Sequence, residues 1–188
     1  MPLFPSLPRT AATSDVWRRF PDKARNLPQL SEAIMRGPSP FSPGERELIA
    51  ACVSACNACR YCTGVHSQTA RAFGVDEALL QSLADDPQAA PVDEKLKPVL
   101  AYVRKLTLSP ARMVPADAEA VFDAGWDEAA LHDAIMVCAL FNFMNRVVEG
   151  HGLALEADAL KTRGRIIAEQ GYDRPGKNDP VPENTDIN

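Results

Sequence analysis

The sequence predicts an all-α fold of about seven or eight helices, and three observations lead to this prediction. Apolar residues recur at helical spacing; from residue 45 onward, for example, Leu48, Ile49 and Cys52 fall on one face. Residues typical of helix starts and glycines typical of helix ends bracket these segments. The β-branched pair Ile166-Ile167 lies within a helical pattern rather than in an alternating run, so no strand is predicted.

The N-terminal part of the chain is expected to contain an arm and two short helices. Residues 1–12, with prolines at positions 2, 5 and 8, are predicted to form an extended arm. Ser14 is a candidate cap for a helix that runs to Phe20. A second helix is expected from Leu27 to Arg36, because Pro28 is tolerated in a first turn.

The clearest helix start in the chain is at Ser42. This residue is a candidate N-cap, Pro43 suits the first helical position, and Glu45 stands where a capping box places an acidic side chain. Asn57 is a candidate cap for the next helix, which is expected to span residues 58–73 and to end at a glycine.

Further helices are expected in the second half of the chain. Asp76 begins a short one, and prolines 98 and 115 suit the first turns of the next two. Asp127 is expected to cap the longest helix, with Gly150 at its end, and a last helix spans residues 155–170. The predicted organisation is a single helical domain over residues 13–170, followed by a polar tail over 171–188 that is disordered or contacts a neighbouring chain.

The composition excludes several classes of protein. The 188 residues carry a formal net charge of −5 and no run of Lys or Arg, so no nucleic acid or membrane partner is expected. The longest apolar stretch is far shorter than the ~20 residues of a membrane-spanning helix, and the proline-rich N-terminus does not resemble a secretory signal. We therefore expect a cytoplasmic protein, in which five cysteines indicate reactive or metal-binding thiols rather than structural disulfides.

The segment ACNACRYCTGVH, residues 55–66, concentrates the candidate chemistry. Cys59 and Cys62 are three apart, so on a helix the two thiols share a face and can form a disulfide. The start of a helix and the neighbouring Arg60 favour Cys59 as the more acidic thiol, whereas proximity to His66 favours Cys62. The spacing alone leaves open which thiol attacks a substrate.

His66 and Glu47 complete a candidate proton relay. His66 lies one turn after Cys62, and a neutral imidazole there can accept the thiol proton. A carboxylate on the other ring nitrogen would fix the tautomer of that imidazole, and Glu47 on the preceding helix is a candidate. From spacing alone, a solvent-exposed Glu47 is the more ordinary interpretation.

Several other polar residues have two interpretations. Asn142, Asn145 and Arg146 interrupt an apolar helix, and they either brace the active-site helix or a subunit contact, or lie on the surface. Cys56 is a core residue or a third redox thiol. A zinc or iron–sulfur site from the cysteine run is disfavoured, because ligands on a regular helix point in different directions.

These residues resemble the alkylhydroperoxidase AhpD-like core of the carboxymuconolactone decarboxylase superfamily. The matching pattern is Glu47, eleven residues, Cys59-x-Tyr61-Cys62, three residues and His66. Two flanking blocks, SPGERELIAACVSACNACRYCTGVHSQTARAFG and AGWDEAALHDAIMVCALFNFMNRVVEG, look like those of its peroxidase-related branch. The resemblance implies an AhpD-like helical bundle that assembles as a homo-oligomer (dimer, trimer or hexamer).

The resemblance also implies a thiol-dependent hydroperoxide reductase that needs no cofactor. Cys62 would meet the hydroperoxide and become a sulfenic acid, Cys59 would donate a proton and form the disulfide, and Glu47 and His66 would relay protons. An external dithiol, of the lipoamide type in the family, would reset the enzyme. Tyr61 stands where the best-known members have a histidine; a phenol is a poor base but still a hydrogen-bond donor.

Two other functional classes remain open at this point. One is a metal-binding or redox-sensing helical protein without catalytic activity. The other is a different enzyme of the same superfamily, such as a lactone decarboxylase, although decarboxylation does not need a dithiol.

Overall fold

The computed structural model describes residues 2–85 and 91–174, and within them the chain is all-α, as predicted. Its elements, in chain order, are α1 (Thr13–Arg19), α2 (Pro21–Ala24), α3 (Leu27–Arg36), α4 (Pro43–Cys56), α5 (Arg60–Ala72), α6 (Glu77–Asp85), α7 (Lys97–Leu108), a 3-10 turn (Pro110–Arg112), α8 (Pro115–Asp123), α9 (Glu128–His151) and α10 (Ala157–Gln170). The described residues thus hold more helices than expected, in part because α2 is a four-residue helix without an apolar period of its own.

The strongest predicted helix starts are confirmed. The Ser42 hydroxyl accepts a hydrogen bond from the Glu45 N–H at 3.2 Å, and the Glu45 carboxylate accepts one from the Ser42 N–H at 2.7 Å. The Asp127 carboxylate caps α9 in the same manner, at 2.9 Å from the Ala130 nitrogen. A side chain that satisfies a free N–H fixes where each helix begins.

Three predicted boundaries are wrong, apart from the α4–α5 junction described below. Ser14 does not cap the first helix but lies inside α1, whose N-cap is Ala12. The longest helix, α9, continues through Gly150 and ends at Gly152, whose φ of 65° gives the left-handed C-cap. The last helix begins at Ala157 rather than at residue 155. At the end of α9 the sequence offers two glycines two residues apart, and the hydrophobic pattern does not choose between them.

The buried side chains form two cores. The first core joins α4, α7 and α9 and includes Cys52, Val103 and Val137. The second core joins α1, α5, α10 and the end of α9, and it includes Trp17 and Cys62. Because α4 lies in the first core and the start of α5 lies in the second, the junction between them lies where the two cores meet.

Gly164 brings α10 unusually close to α5. A Cβ at this position would lie 2.5 Å from the Gln68 Cβ and 2.8 Å from the Gln68 carbonyl carbon, so only glycine allows this approach. The close packing fixes the direction of α10 and therefore the place where the chain leaves it.

The N-terminal arm and the tail both contact the helices. Residues 2–12 fold into turns rather than running extended, with Leu7 and Ala11 buried and the Leu3 N–H donating to the His151 carbonyl at 2.9 Å. Of the predicted tail, residues 171–174 are described and pack against α3, whereas residues 175–188 lie outside the described residues.

Among the described helices, α9 has the length and apolar composition that a membrane span would need. Within its most apolar window, 44% is buried inside the molecule. Its buried face carries Cys138, Phe141 and Asn145 and packs on α4 and α7. A central helix of a helical bundle has these same properties.

Candidate active site

The junction between α4 and α5 differs from the prediction. Asn57 is the C-cap of α4, not the cap of α5, and Ala58 has a left-handed φ of 54°. Cys59 is the N-cap of α5, and its sulfur accepts a hydrogen bond from the Cys62 N–H at 3.4 Å. A cysteine is not a usual capping residue, so no local signal marks this boundary.

Polar side chains of α9 hold this junction in place. The Asn57 amide donates to Asn142 Oδ1 at 3.1 Å and to Asn145 Oδ1 at 2.9 Å. The Asn145 amide, which is 1% exposed, donates to the Ser54 hydroxyl at 3.1 Å. Arg146 lies on the surface and donates to Asn142 at 3.1 Å. Asn142 and Asn145 therefore brace the junction, and Arg146 supports them from outside.

The two candidate thiols differ in access. Cys59 is fully buried, whereas Cys62 is 4% exposed and lines a cavity. A hydrogen bond with the Cys62 thiol, burial and the neighbouring charge raise the pKa of the Cys59 thiol. This removes the argument for Cys59 as the more acidic thiol, because its burial and its hydrogen bond outweigh its position at a helix start.

Glu47 is buried and lies between two basic side chains. Its carboxylate contacts His66 Nδ1 at 2.7 Å and the Arg36 guanidinium at 2.6 Å, and it is 0% exposed. Burial alone would raise the pKa of Glu47, but the hydrogen bonds and charges of His66 and Arg36 outweigh it and lower that pKa. The solvent-exposed interpretation of Glu47 is therefore wrong, since Arg36 and His66 compensate its burial.

The carboxylate sets the tautomer of His66. A proton on Nδ1, directed at Glu47, leaves Nε2 as the basic nitrogen. Among the described residues no hydrogen bond joins the His66 ring to the Cys62 sulfur; both side chains line the same cavity. The spacing suggested a direct contact between the imidazole and the thiol. In the structure the two groups instead line one cavity without a hydrogen bond between them.

Tyr172 is a site residue that the sequence analysis missed. Its hydroxyl donates to Glu47 Oε1 at 2.8 Å and lies 3.4 Å from His66 Nδ1. Burial and the Glu47 charge raise the pKa of Tyr172 well above its ordinary value, so the phenol stays protonated. The Arg36 guanidinium stacks over the Tyr172 ring, 5.1 Å from its centroid.

The chain just after α10 delivers Tyr172 to the site. Gly171 turns with a φ of 74°, and the Glu32 carboxylate on α3 then accepts the Tyr172 N–H at 2.6 Å and the Asp173 N–H at 3.3 Å. No sequence signal could have found Tyr172, because it is separated from Glu47 by 125 residues and lies in a segment of polar, proline-rich composition.

The cavity beside Cys62 is small and mostly apolar. It holds about 70 Å³, which is room for a few water molecules or a peroxide group with a short substituent. Its apolar lining comes from α1, α3, α5, α9 and α10. The polar groups that line it are Thr13, Ser31, Tyr61, Cys62, His66, Arg163 and Tyr172.

The other cysteines lie in the first core. Cys52 and Cys138 are buried, and Cys56 is half-buried against the same core. A hydrogen bond with Cys56 raises the pKa of Cys52, and the same hydrogen bond lowers the pKa of Cys56. Within residues 2–85 and 91–174, no three His, Cys, Asp or Glu side chains converge as metal ligands would.

Comparisons with known proteins show what this chain is similar to. The model of the carboxymuconolactone decarboxylase family matches residues 21–103. A crystal structure of an uncharacterized peroxidase-related protein from Silicibacter sp. TM1040 is similar, with 27% identity, a TM-score of 0.74 and coverage of 81% of this chain and 80% of that one. The chain is thus similar to the carboxymuconolactone decarboxylase family over residues 21–103, and its fold is similar to that of an AhpD-like, peroxidase-related protein.

A second AhpD-like structure has the same fold. It is the alkylhydroperoxidase AhpD core of an uncharacterized peroxidase-related protein from Ralstonia eutropha JMP134, with 24% identity, a TM-score of 0.74 and coverage of 80% of this chain and 78% of that one. A search of the curated proteins found no match. The carboxymuconolactone decarboxylase match contains Glu47, Cys59, Cys62 and His66, whereas Tyr172 and Arg163 lie outside it.

Proposed function

We propose that this protein is a thiol-dependent hydroperoxide reductase in which Cys62 reacts with the substrate. The observation that carries the proposal is the position of Cys62 in one cavity with His66, whose Nδ1 is 2.7 Å from the buried Glu47 carboxylate. A nucleophile, a base and a group that orients the base are the parts that activate a thiol. The peroxidase-related structures of similar fold support the same reaction class.

In the first step, the Cys62 thiol transfers its proton to His66 Nε2 through a water molecule in the cavity. The Cys62 thiolate then attacks the terminal oxygen of the hydroperoxide. A sulfur–oxygen bond forms while the oxygen–oxygen bond breaks, and the leaving alkoxide takes the proton from His66. The products are an alcohol and a sulfenic acid on Cys62, so the sulfur is oxidised and the peroxide is reduced.

In the second step, Cys59 captures the sulfenic acid. Its sulfur bonds to the Cys62 sulfur, the hydroxyl of the sulfenic acid leaves, and the Cys59 proton converts it to water. The Cys62 N–H donates to the Cys59 sulfur at 3.4 Å, and this proximity supports the pairing. The raised pKa of Cys59 keeps its proton in place until it is needed. An external dithiol, of the lipoamide type by resemblance, then supplies two electrons and two protons to the disulfide.

Glu47 acts on the reaction through His66. While His66 carries the thiol proton, the buried carboxylate stabilises the imidazolium, and Arg36 and Tyr172 hold that carboxylate in its orientation. The thiols carry the electrons, so the mechanism includes no cofactor. The cytoplasmic location and the homo-oligomer also belong to the proposal; light scattering of the purified protein would test the second.

The decisive experiment is steady-state reduction of tert-butyl hydroperoxide, whose substituent is short, with a panel of dithiols. Cys62→Ser is expected to lower the rate to that of buffer, while Cys56→Ser, the matched control in the first core, keeps the wild-type rate. Full activity in Cys62→Ser would contradict the mechanism. Metal analysis of the same preparations tests the alternative metal-binding protein, and a lactone substrate tests the decarboxylase.

A further inference from the structure

We infer that the cavity beside Cys62 contains an anion-binding cluster, formed by Thr13, Tyr61 and Arg163, that receives a carboxylate of the substrate. The inference rests on the proposed function and narrows it: the preferred substrates are organic hydroperoxides that carry a carboxylate. The alkyl part would lie against the apolar wall and the peroxide group at Cys62.

Arg163 is the centre of the cluster. Its side chain is half-buried on α10 and lines the cavity. Its guanidinium donates to the Thr13 hydroxyl at 3.2 Å. No carboxylate among the described residues forms an ion pair with it. A guanidinium in a mostly apolar cavity without an acidic partner is a site for an anion, and its fork matches a carboxylate well.

Thr13 and Tyr61 add hydroxyl groups to the same place. Each is 7% exposed, and the Thr13 N–H points at the Tyr61 oxygen at 3.4 Å. The Tyr61 oxygen thus accepts the Thr13 N–H, and the Thr13 oxygen accepts from Arg163. The two hydroxyls also interact, so one of them can donate to the other. The hydrogen of the other hydroxyl has no acceptor among the described residues. Burial raises the pKa of Tyr61, which keeps its proton available for donation. The cluster therefore has more donors than acceptors.

The acidic groups near the cavity do not offset this excess. The Glu47 carboxylate already forms hydrogen bonds with Arg36, His66 and Tyr172. A second guanidinium, that of Arg174, lies close enough to Arg163 for burial and the Arg163 charge to lower its pKa, and its Nε has no hydrogen-bond partner among the described residues. Glu32, another acidic side chain nearby, accepts the Tyr172 and Asp173 N–H groups and does not line the cavity, whereas Arg163 does. The charge that the described residues present to the cavity at the cluster is thus positive, as an anionic ligand requires.

The position of the cluster places the anion near the reacting sulfur but not on it. Tyr61 directly precedes Cys62 on α5, and both side chains line the cavity. Trp17, Val65 and Ile167 provide apolar surface in the same cavity. An organic acid with a hydroperoxide on its alkyl chain has the matching order of groups, with a carboxylate for the donors and a carbon chain for the apolar wall.

A matched pair of substrates tests the inference. The pair is a short tertiary-alkyl hydroperoxide that ends in a carboxylate and its methyl ester, with dithiothreitol as the reductant because it carries no carboxylate. The ratio of kcat/KM for the acid to kcat/KM for the ester should exceed one in the wild type. It should fall by about 10- to 100-fold in Arg163→Gln, through the loss of a charged hydrogen bond.

Three further variants calibrate the result. Arg165→Gln removes an exposed arginine from the same helix and should keep the wild-type ratio. Tyr61→Phe removes one hydroxyl and should lower the ratio by about two- to tenfold. Circular dichroism melting of each variant verifies that it is folded, and Arg163→Lys, which keeps the charge, should recover part of the ratio.

Calorimetry separates this inference from the proposed function. The hydroxy acid that the reduction would produce is expected to bind the wild type and not Arg163→Gln, and its methyl ester is expected to bind neither. Binding of the acid without any peroxide reduction would support the anion site and contradict the proposed function. Peroxide reduction with equal kcat/KM for acid and ester, or with a ratio that Arg163→Gln leaves unchanged, would overturn the inference.

Discussion

The protein contains two neighbouring thiol pairs whose surroundings differ completely. Cys52 and Cys56 are one turn apart on α4 and face the first core, where Cys138 and apolar side chains surround them. Cys59 and Cys62 are one turn apart at the start of α5, in the second core, and Cys62 also lines the cavity that contains His66. In both pairs the neighbouring thiol raises the pKa of the more buried cysteine, Cys52 or Cys59. The second pair additionally has a base, an orienting carboxylate and space for a substrate, so we assign the chemistry to it.

The largest expected effect comes from removing the carboxylate that distinguishes the second pair. Glu47→Gln would keep the shape of the side chain but leave His66 without its anionic partner. We expect hydroperoxide reduction to slow by about 100-fold. Glu119→Gln, an exposed change on α8, is the matched control and should keep the wild-type rate. Equal rates in the two variants would show that the buried carboxylate does not distinguish the pairs.

A second change would open the wall of the cavity. Gly164→Ala would force α10 away from α5, because its Cβ would lie 2.8 Å from the Gln68 carbonyl carbon. We expect a loss of about 1–3 kcal/mol in the free energy of unfolding, measured by urea denaturation, together with slower peroxide reduction. The control is Gly150→Ala in α9, where a Cβ has no neighbour within 4 Å; it should be neutral or slightly stabilising. A Gly164→Ala protein as stable as wild type would mean that α10 does not enclose the second pair.

The ionisation of Glu47 gives the second pair a pH dependence that the first pair lacks. The pKa of Glu47 is lowered in the folded protein, so its contribution to stability is complete above the ordinary carboxyl pKa of about 4.3 and is lost as the pH falls through the lowered value. We therefore expect the free energy of unfolding of Glu47→Gln to fall less steeply with decreasing pH than that of the wild type, as measured by acid unfolding followed by circular dichroism. Cys56→Ser should leave that part of the curve as in wild type, and an identical curve for Glu47→Gln would contradict the assignment.

The smallest effect is expected at the residue between the two pairs. Ala58 has a φ of 54°, which is unfavourable for any residue with a Cβ. Ala58→Gly should raise the free energy of unfolding by about 1 kcal/mol, which thermal unfolding would detect as an increase in Tm of a few degrees. A decrease in Tm would indicate that the methyl group of this exposed residue restricts the junction more than its strain costs.

The sequence predicted the fold well where local chemistry decides it. The Ser42 capping box, the Asp127 cap and the apolar spacing of α4 depend on residues a few positions apart, and the structure confirms them. The Cys59 cap and the left-handed Ala58 could not be predicted, because Asn142 and Asn145, more than 80 residues away, hold that junction.

The candidate site shows the same division. Glu47, Cys59, Cys62 and His66 follow one spacing pattern over 20 residues, so the pattern could propose them together. The burial of Glu47 could not be foreseen, since it depends on Arg36 and Tyr172, and Tyr172 comes from the segment predicted to be a polar tail. Arg163 could not be predicted either. Its proposed role depends on the absence of a carboxylate partner among the described residues, and spacing in the sequence does not show that absence.

The most direct test of the account is peptide mass mapping after treatment with one equivalent of tert-butyl hydroperoxide. We predict the loss of two hydrogens from the peptide that links Cys59 and Cys62, with Cys52, Cys56 and Cys138 recovered as free thiols. A disulfide that involves Cys52 or Cys56, or a Cys62 sulfinic acid in place of the disulfide, would contradict the central claim that the second pair alone is built to reduce a hydroperoxide.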